Sequence, residues 1–156
     1  MVEPAPFSFE KADDSAGFLL WKVTSLWQRK LAAVLSALGI TQTQYALLAS
    51  TRWLETRVGR VTQARLVEHT RIDKMTVSKA IRRIEVAGLV VRSTSSLDSR
   101  TTDVVLTSRG RKLTDRAIAA VEAADRDFFA GLSDEGLGRY RDLALTLIAH
   151  NDPPTS

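Results

Sequence analysis

The side chains best suited to chemistry in this sequence lie between residues 74 and 83. On a helical wheel of about 100° per residue, one face of this segment combines basic, hydroxyl and methyl-bearing groups. Its members are Met75, Ser78, Lys79, Arg82 and Arg83, with Thr76 beside them and Lys74 at the start of the segment. Lysine and arginine can donate to guanine edges, threonine and serine can bond several bases, and methyl-bearing groups can pack on thymine. The face is therefore a candidate surface for reading DNA, although a merely solvated helix face would have a similar composition.

The other side of the same segment is apolar and predicts the element that positions the basic face. Its members on the wheel are Val77, Ala80, Ile81 and Ile84. Asp73 is a residue type that caps a helix N-terminus, and Gly88 is the type that ends a helix. We therefore predict a helix over Lys74–Ala87, with its apolar side packed on a short helix before it.

Two runs rich in Val, Thr and Leu predict the strands Leu89–Ser93 and Thr101–Leu106 of a small ribbon. An arginine at the tip of such a ribbon, Arg100, can enter a narrow minor groove, whose negative potential attracts it. Asp98 could orient that guanidinium through a charge-assisted bond, or the two could form an ordinary structural pair. Arg92, at the base of the ribbon, is interpreted as a phosphate contact or a structural residue. A helix followed by such a ribbon is a known arrangement for docking on DNA.

The charge of the chain is concentrated in its middle third. Residues 50–112 hold 14 Lys and Arg against 6 Asp and Glu, a net charge of +8, whereas the rest of the chain holds 8 against 12, a net charge of −4. The formal net charge of +4 therefore hides a strongly polarised molecule. A basic surface of this kind indicates a polyanionic partner, and double-stranded DNA is the first candidate.

Composition excludes or disfavours several classes of site. The chain has no cysteine, which rules out disulfides, thiolate metal sites and cysteine redox sensing. His69 and His150 are the only histidines, and no glycine-rich phosphate loop, metal-ligand cluster or Ser/His/Asp spacing is present. No apolar run approaches the roughly 18 residues of a membrane helix, and the N-terminus has no signal-peptide pattern. We predict a cytoplasmic protein that is not an enzyme, with no cofactor, metal or catalytic residue.

Apolar spacing and capping residues predict mainly helical structure on both sides of this region. The predicted elements are a first helix over Ser15–Leu38, a second beginning at Thr41, a short basic loop over Thr56–Val61, a third helix from its cap Thr62 to His69, a long helix from Thr107 to Ala130 and a last helix from Ser133 to His150. The first helix carries more apolar surface than one neighbouring helix can cover. The ends of the chain, where all four prolines lie, are expected to fray.

Four short motifs in a fixed order resemble the MarR family of bacterial transcription regulators. The motifs are Asp73-Lys74-Met75-Thr76-Val77-Ser78, Gly88-Leu89-Val90-Val91-Arg92, Asp98-Ser99-Arg100 and Leu106-Thr107-Ser108-Arg109-Gly110. Each is weakly specific alone, but their order and spacing together are fairly specific. The helix plan around them extends the resemblance over most of the chain.

The resemblance implies a mainly α protein with a small β-wing, in which a winged helix-turn-helix DNA-binding lobe joins a helical dimerisation lobe formed by the N- and C-terminal helices. The corresponding parts of one continuous domain are residues 1–40 (tail and dimerisation helix), 41–110 (DNA-binding lobe) and 111–156 (dimerisation helices and tail). A homodimer would place its two recognition helices, Lys74–Ala87 of each subunit, in successive major grooves of a pseudo-palindromic operator. Such a protein would most simply act as a repressor. A small phenolic or lipophilic effector, bound between the two lobes, is compatible with this plan.

The chain also departs from the family pattern. Ser93–Ser96 stand where many members carry basic residues or proline in the wing, and the absence of cysteine excludes the thiol-oxidation switch of some relatives. Scarce histidine argues against the zinc-sensing variant. Two other functions stay open on the sequence alone, a winged-helix module that binds an acidic protein instead of DNA, and a small enzyme. For the enzyme, the adjacent carboxylates Asp13-Asp14 and Asp134-Glu135 offer little, since they are typical of solvated helix starts.

Overall fold

The computed structural model describes residues 6–152, which form two compact units, one ending at Val121 and the other beginning at Glu122. Within these residues a short 3-10 helix spans Ala12–Asp14, the α-helices are α1 (Ala16–Ser36), α2 (Gln42–Val58), α3 (Gln63–Thr70), α4 (Lys74–Val86), α5 (Ser108–Phe128) and α6 (Asp134–Asn151), and the strands are β1 (Val90–Thr94) and β2 (Thr102–Leu106). The expected fraying of residues 1–5 and 153–156 lies outside the described part. A mainly helical chain with one β-ribbon confirms the predicted fold class.

Local capping fixes the pair of helices that presents α4. The Thr62 side chain accepts from the Arg65 amide at 3.2 Å at the start of α3, and Asp73 Oδ1 accepts from the Thr76 amide at 2.9 Å at the start of α4. Bonds from the Thr76 hydroxyl and amide hold the pKa of the Asp73 carboxyl below its usual range. Between the helices Arg71 takes a left-handed conformation with φ 57°, which reverses the chain sharply. The sequence thus builds a helix–turn–helix from its capping residues.

The buried face of α4 is the apolar face that the sequence predicts. Val77, Ile81 and Ile84 have no exposed surface, and Ala80 is 9% exposed. They belong to one core whose other fully buried members include Leu35, Leu47, Leu48 and Leu66, from the first three helices. Burial of each large aliphatic side chain contributes roughly 1.5–3 kcal/mol. This core therefore decides which side of α4 is left to solvent.

The ribbon is anchored at its base. β1 and β2 pair antiparallel, with Val91 opposite Val105. Because side chains alternate between the faces of a strand, Val104 and Leu106 are buried beneath the ribbon, whereas Val91 and Val105 are exposed. On the other edge of β2, the Val104 amide donates to the Val61 carbonyl at 2.9 Å. The base of the ribbon is thus held next to the start of α3.

The start of α5 packs closely on the turn that follows α4. Thr107 Oγ1 donates to the Gly88 carbonyl at 2.8 Å and accepts from the Gly110 amide at 2.9 Å. The Thr107 amide donates to the Leu89 carbonyl at 3.0 Å. A Cβ at Gly110 would lie 1.8 Å from the Leu89 carbonyl oxygen, so only glycine fits there. The last of the four sequence motifs therefore joins β2 to α5 and packs this junction on the turn after α4.

The second unit contains the end of α5 and all of α6. The rings of Phe128 and Phe129 meet edge to face with centroids 5.2 Å apart, and the Phe129 ring lies 5.2 Å from that of Tyr140 on α6. No residue of α6 is buried. Much of its apolar surface is therefore left exposed.

One predicted element is wrong in part. The segment Thr56–Val61 was expected to be a loop, but α2 continues to Val58, and Gly59, with φ 73°, follows its last residue. The helix persists because its polar residues bond within it: the Arg57 guanidinium lies 4.4 Å from the centre of the Trp53 ring, one turn earlier. The predicted ends of the other helices and strands differ from the observed ones by no more than two residues.

Candidate DNA interface

The face of α4 opposite the core carries the side chains predicted to read DNA. Those that are exposed are Lys74, Met75, Thr76, Lys79, Arg82 and Arg83, and Ser78 is partly buried. Met75 is 79% exposed, so its methyl group is accessible to a partner. The structure thus brings basic, hydroxyl and apolar groups to the solvent side of one helix.

The basic groups of this face are not neutralised within the described part of the chain. Among residues 6–152, no ion pair joins Lys74, Lys79, Arg82 or Arg83 to a carboxylate. Several other arginines of the basic middle segment are paired. The pairs are Arg52–Asp115 at 2.9 Å, Arg60–Asp103 at 2.9 Å, Arg92–Glu85 at 2.8 Å and Arg111–Glu55 at 2.8 Å. The outer face of α4 therefore keeps four cations available to attract a polyanion.

Arg92 is bound to α4 itself. Its Nε donates to Glu85 Oε2 at 2.8 Å, and its amide donates to Glu85 Oε1 at 3.1 Å. These bonds, together with the charge of the guanidinium, hold the pKa of the Glu85 carboxyl below its usual range. Of the two roles that the sequence suggests for Arg92, these contacts favour the structural one. The pair fixes the base of the ribbon against the last turn of α4.

We expect the Glu85–Arg92 pair to make stability depend on pH in the acid range. Because the pKa of Glu85 in the folded protein is below its ordinary value of 4.5, the pair stabilises the fold above that value and loses its effect as the pH falls through the folded pKa. Urea unfolding from about pH 6 to about pH 3 should show E85Q less stable than the parent at the upper end, with the difference shrinking at the lower end. R92Q should give the same profile. A difference that stays constant across the range would contradict this role for the carboxylate.

The turn of the ribbon is organised by Asp98, although not in the predicted way. Its Oδ1 accepts from the Arg100 amide at 2.9 Å, and its Oδ2 accepts from the Thr101 hydroxyl at 3.3 Å. The expected charge-assisted bond to the Arg100 guanidinium does not occur among residues 6–152. The reason is that a short carboxylate in a turn reaches nearby amides first. Asp98 shapes the backbone that carries Arg100, whose side chain is exposed.

Two residues that organise this site are not identified from the sequence. Ser95 is only 6% exposed, and its Oγ accepts from the Leu97 and Asp98 amides at 3.0 and 3.3 Å. It lies in a Ser/Thr-rich run, where nothing distinguishes it from its neighbours. The sequence does not reveal the role of Glu85, because its partner, Arg92, is on another element. Both residues hold the wing in place through bonds within the protein.

A helix–turn–helix with a cationic outer face, followed by an antiparallel ribbon with an exposed arginine at its turn, defines a winged-helix DNA-binding protein. No helix described between residues 6 and 152 is long and apolar enough to cross a membrane. In the same residues no three potential metal ligands are grouped together.

Comparison with known proteins identifies the family. Residues 38–123 match the family model of the ArnR1-like winged-helix domain. The chain is 34% identical over 122 residues to the uncharacterized HTH-type transcriptional regulator YdcH of Bacillus subtilis, covering 78% of this chain and 83% of that protein. It is 35% identical over 123 residues to the HTH-type transcriptional repressor Rv2887 of Mycobacterium tuberculosis, covering 78% and 86%.

Solved structures agree with these sequence matches. CouR from Rhodococcus jostii, bound to p-coumaroyl-CoA, gives a TM-score of 0.78 at 26% identity and covers 95% of this chain and 99% of that one. The MarR-family protein Rv2887, in complex with p-aminosalicylic acid, gives 0.63 at 30% identity and covers 85% and 98%. The chain belongs to the MarR family of winged helix-turn-helix transcriptional regulators. YdcH and Rv2887 are both HTH-type transcriptional regulators.

Proposed function

We propose that this chain is a sequence-specific repressor that binds a pseudo-palindromic operator as a homodimer in the cytoplasm. In each subunit α4 lies in a major groove and reads base edges, while Arg100 enters the adjacent minor groove. The observation that carries the proposal is the exposed face of α4, whose cations have no carboxylate partner among residues 6–152. Contacts to phosphates supply affinity, and α4 supplies sequence choice.

The homodimer is supported by apolar surface that each unit leaves exposed. On α1 the exposed apolar side chains are Phe18, Leu19, Leu20, Trp21, Val23 and Leu26, and on α6 they are Tyr140, Leu143, Leu145, Leu147 and Ile148. Trp21 is 71% exposed and Leu143 is 66% exposed. Many large apolar side chains exposed on one helix are typical of an interaction surface. A second copy of the chain, which brings the same two helices, would cover them in a two-fold arrangement.

A charge placed on this surface should separate the subunits. Trp21→Glu would bury a carboxylate in the interface, so we expect a monomer in sedimentation velocity experiments and a large loss of operator affinity, because only one half-site can then be bound. Trp53→Glu is the matched control, since Trp53 is an exposed tryptophan of α2. It should remain dimeric. A dimeric W21E would remove α1 from the proposed interface.

The decisive test of the function is selection of bound duplexes from a random pool. A palindrome whose half-sites lie about one helical turn apart, roughly 34–36 Å, would support paired subunits reading successive major grooves. Enrichment of no sequence, together with no shift of a random duplex at low salt, would instead favour the rival function, a winged-helix module for an acidic protein. The two hypotheses therefore give opposite results with one protein preparation.

We also propose that a small phenolic or lipophilic effector releases the operator. CouR and Rv2887 have been solved with p-coumaroyl-CoA and p-aminosalicylic acid, respectively. In this chain, a cavity of about 490 Å³ in the first unit is lined by residues that include Tyr45, Arg52, Trp53, His69 and Ile118. Aromatic walls with a few polar groups suit such a ligand. The measurement is whether p-aminosalicylic acid, used as the probe, lowers affinity for the selected operator.

A further inference from the structure

A cleft separates the start of α4 from the turn of the ribbon and the first residue of β2, beside the first residues of α3. Its volume is about 340 Å³, and its polar lining consists of Gln63, Lys74, Arg100, Thr101 and Thr102. No carboxylate lines it. Neither Lys74 nor Arg100 forms an ion pair among residues 6–152. The cleft is therefore an electropositive recess with donors on three elements, which is the chemistry that binds an anion.

The position of the cleft between α4 and the ribbon indicates which anion can reach it. In duplex DNA, a sugar–phosphate backbone separates each major groove from the neighbouring minor groove. A protein with α4 in the major groove and Arg100 in the adjoining minor groove must let that backbone pass between the two elements. The cleft lies between them. The anion that reaches it on DNA is therefore a backbone phosphate.

Gln63 supplies the cleft with a hydrogen-bond donor. Its Oε1 is buried and accepts no hydrogen bond from the described residues, so an anion in the cleft cannot reach that oxygen. The carboxamide Nε2 is the other polar end of the side chain and carries two donors. In the cleft it can donate to a phosphate oxygen alongside the Lys74 ammonium.

We propose that this cleft binds one phosphate of the operator backbone in each subunit, with Lys74 and Gln63 as its main donors. The proposal rests on the DNA-binding function proposed above. It adds Gln63 to the residues that contact DNA and assigns Lys74 to the backbone instead of to base edges. A phosphate held between α3, α4 and the wing fixes the register of α4 in its groove, although it carries no sequence information itself.

Charge-changing variants test the site through the salt dependence of binding. K74Q should reduce the steepness of log K against log salt by about 0.9 on duplex DNA, with the same proportional loss for operator and unrelated duplex. Q63E adds a negative charge of almost the same shape and should weaken both duplexes in the same proportion. The matched controls are Q28E, on an exposed residue of α1, and K11Q, in the exposed segment before it. Both controls should keep the slope of the parent, and all four should keep its melting temperature.

Duplexes with a single uncharged methylphosphonate identify the phosphate itself. For the parent, one position in each half-site should weaken binding when neutralised, and K74Q should be insensitive at that position. If K74Q and the parent lose affinity equally at every position, Lys74 is not paired with a phosphate and the proposal is wrong. Inorganic phosphate titrated without DNA distinguishes a site for the free anion. Saturable binding that K74Q abolishes and duplex fails to displace would also overturn the proposal.

The experiments distinguish a wrong assignment of the phosphate site from a wrong assignment of the DNA-binding function. A parent protein that binds no duplex overturns the function. A protein that still needs Lys79 and Arg82 for its operator, but whose affinity and salt slope are unchanged by K74Q and Q63E, overturns the cleft alone.

Discussion

Alanine in place of Lys79 or Arg82 is expected to remove most of the preference for the selected operator. Both side chains are exposed on α4 and have no carboxylate partner among residues 6–152, so neither supports the fold through an ion pair. A basic side chain bonded to a guanine edge contributes roughly 1–3 kcal/mol of discrimination, or about a five- to hundredfold loss for each substitution. Fluorescence anisotropy with the operator and with an unrelated duplex would measure both affinities, and their ratio should fall toward one.

Lys112→Ala is the matched control for these variants. It removes an exposed cation, also unpaired within the described residues, from α5 instead of from α4. It should change binding to the two duplexes in the same proportion and leave their ratio intact. Equal losses for both duplexes in K79A and R82A would mean that α4 supplies charge and does not read bases. Binding like that of the parent would remove α4 from the interface.

Alanine at Gly110 is expected to destabilise the first unit markedly. The new Cβ would lie 1.8 Å from the Leu89 carbonyl oxygen and 2.7 Å from its carbonyl carbon, so the backbone itself must move. The movement would disturb the bonds that Thr107 makes to both sides of the junction. Overpacking of this kind costs about 1–3 kcal/mol. For a chain of this size the melting temperature falls by about 2–4 °C per kcal/mol, which circular dichroism can follow.

The same chemical change at Gly138 provides the control. Nothing lies within 4 Å of a Cβ built at Gly138, which is inside α6. Alanine there should stabilise the helix by up to about 1 kcal/mol, because glycine is the poorer helix former. A lower melting temperature for G110A and a higher one for G138A would show that close packing at the junction, and not helix propensity, decides the outcome at Gly110. A melting temperature for G110A at or above that of the parent would contradict the packing described here.

Features that depend on residues close together in the sequence could be predicted from it. The faces of α4 follow from the spacing of Val77, Ile81 and Ile84, and its ends follow from Asp73 and Gly88. Those signals lie within about four turns of one helix, so no knowledge of the rest of the fold is needed. The end of α2 could not be found in this way. Thr56 and Arg57 lie close to Gly59, a residue type that favours loops, but in the structure they contact Trp53 on the preceding turn.

The distribution of free charge could not be predicted, because it depends on contacts between distant parts of the chain. Arg111 meets Glu55 at 2.8 Å, and Arg52 meets Asp115 at 2.9 Å, each across more than fifty residues of sequence. A count of basic residues treats these arginines and those of α4 alike. Only the folded structure separates cations that bind the protein itself from cations that are left for a partner.

The bonds of Thr107 to Gly88 and Leu89 tie the first turn of α5 to the turn between α4 and the ribbon. A tilt at the start of α5 would therefore be passed on to α4 and the ribbon. In a dimer, the distance between the two α4 helices would then depend on how each α5 is tilted. Since successive major grooves offer a fixed spacing, the proposed effector would release the operator if it held α5 at a tilt that makes the pair miss the second groove.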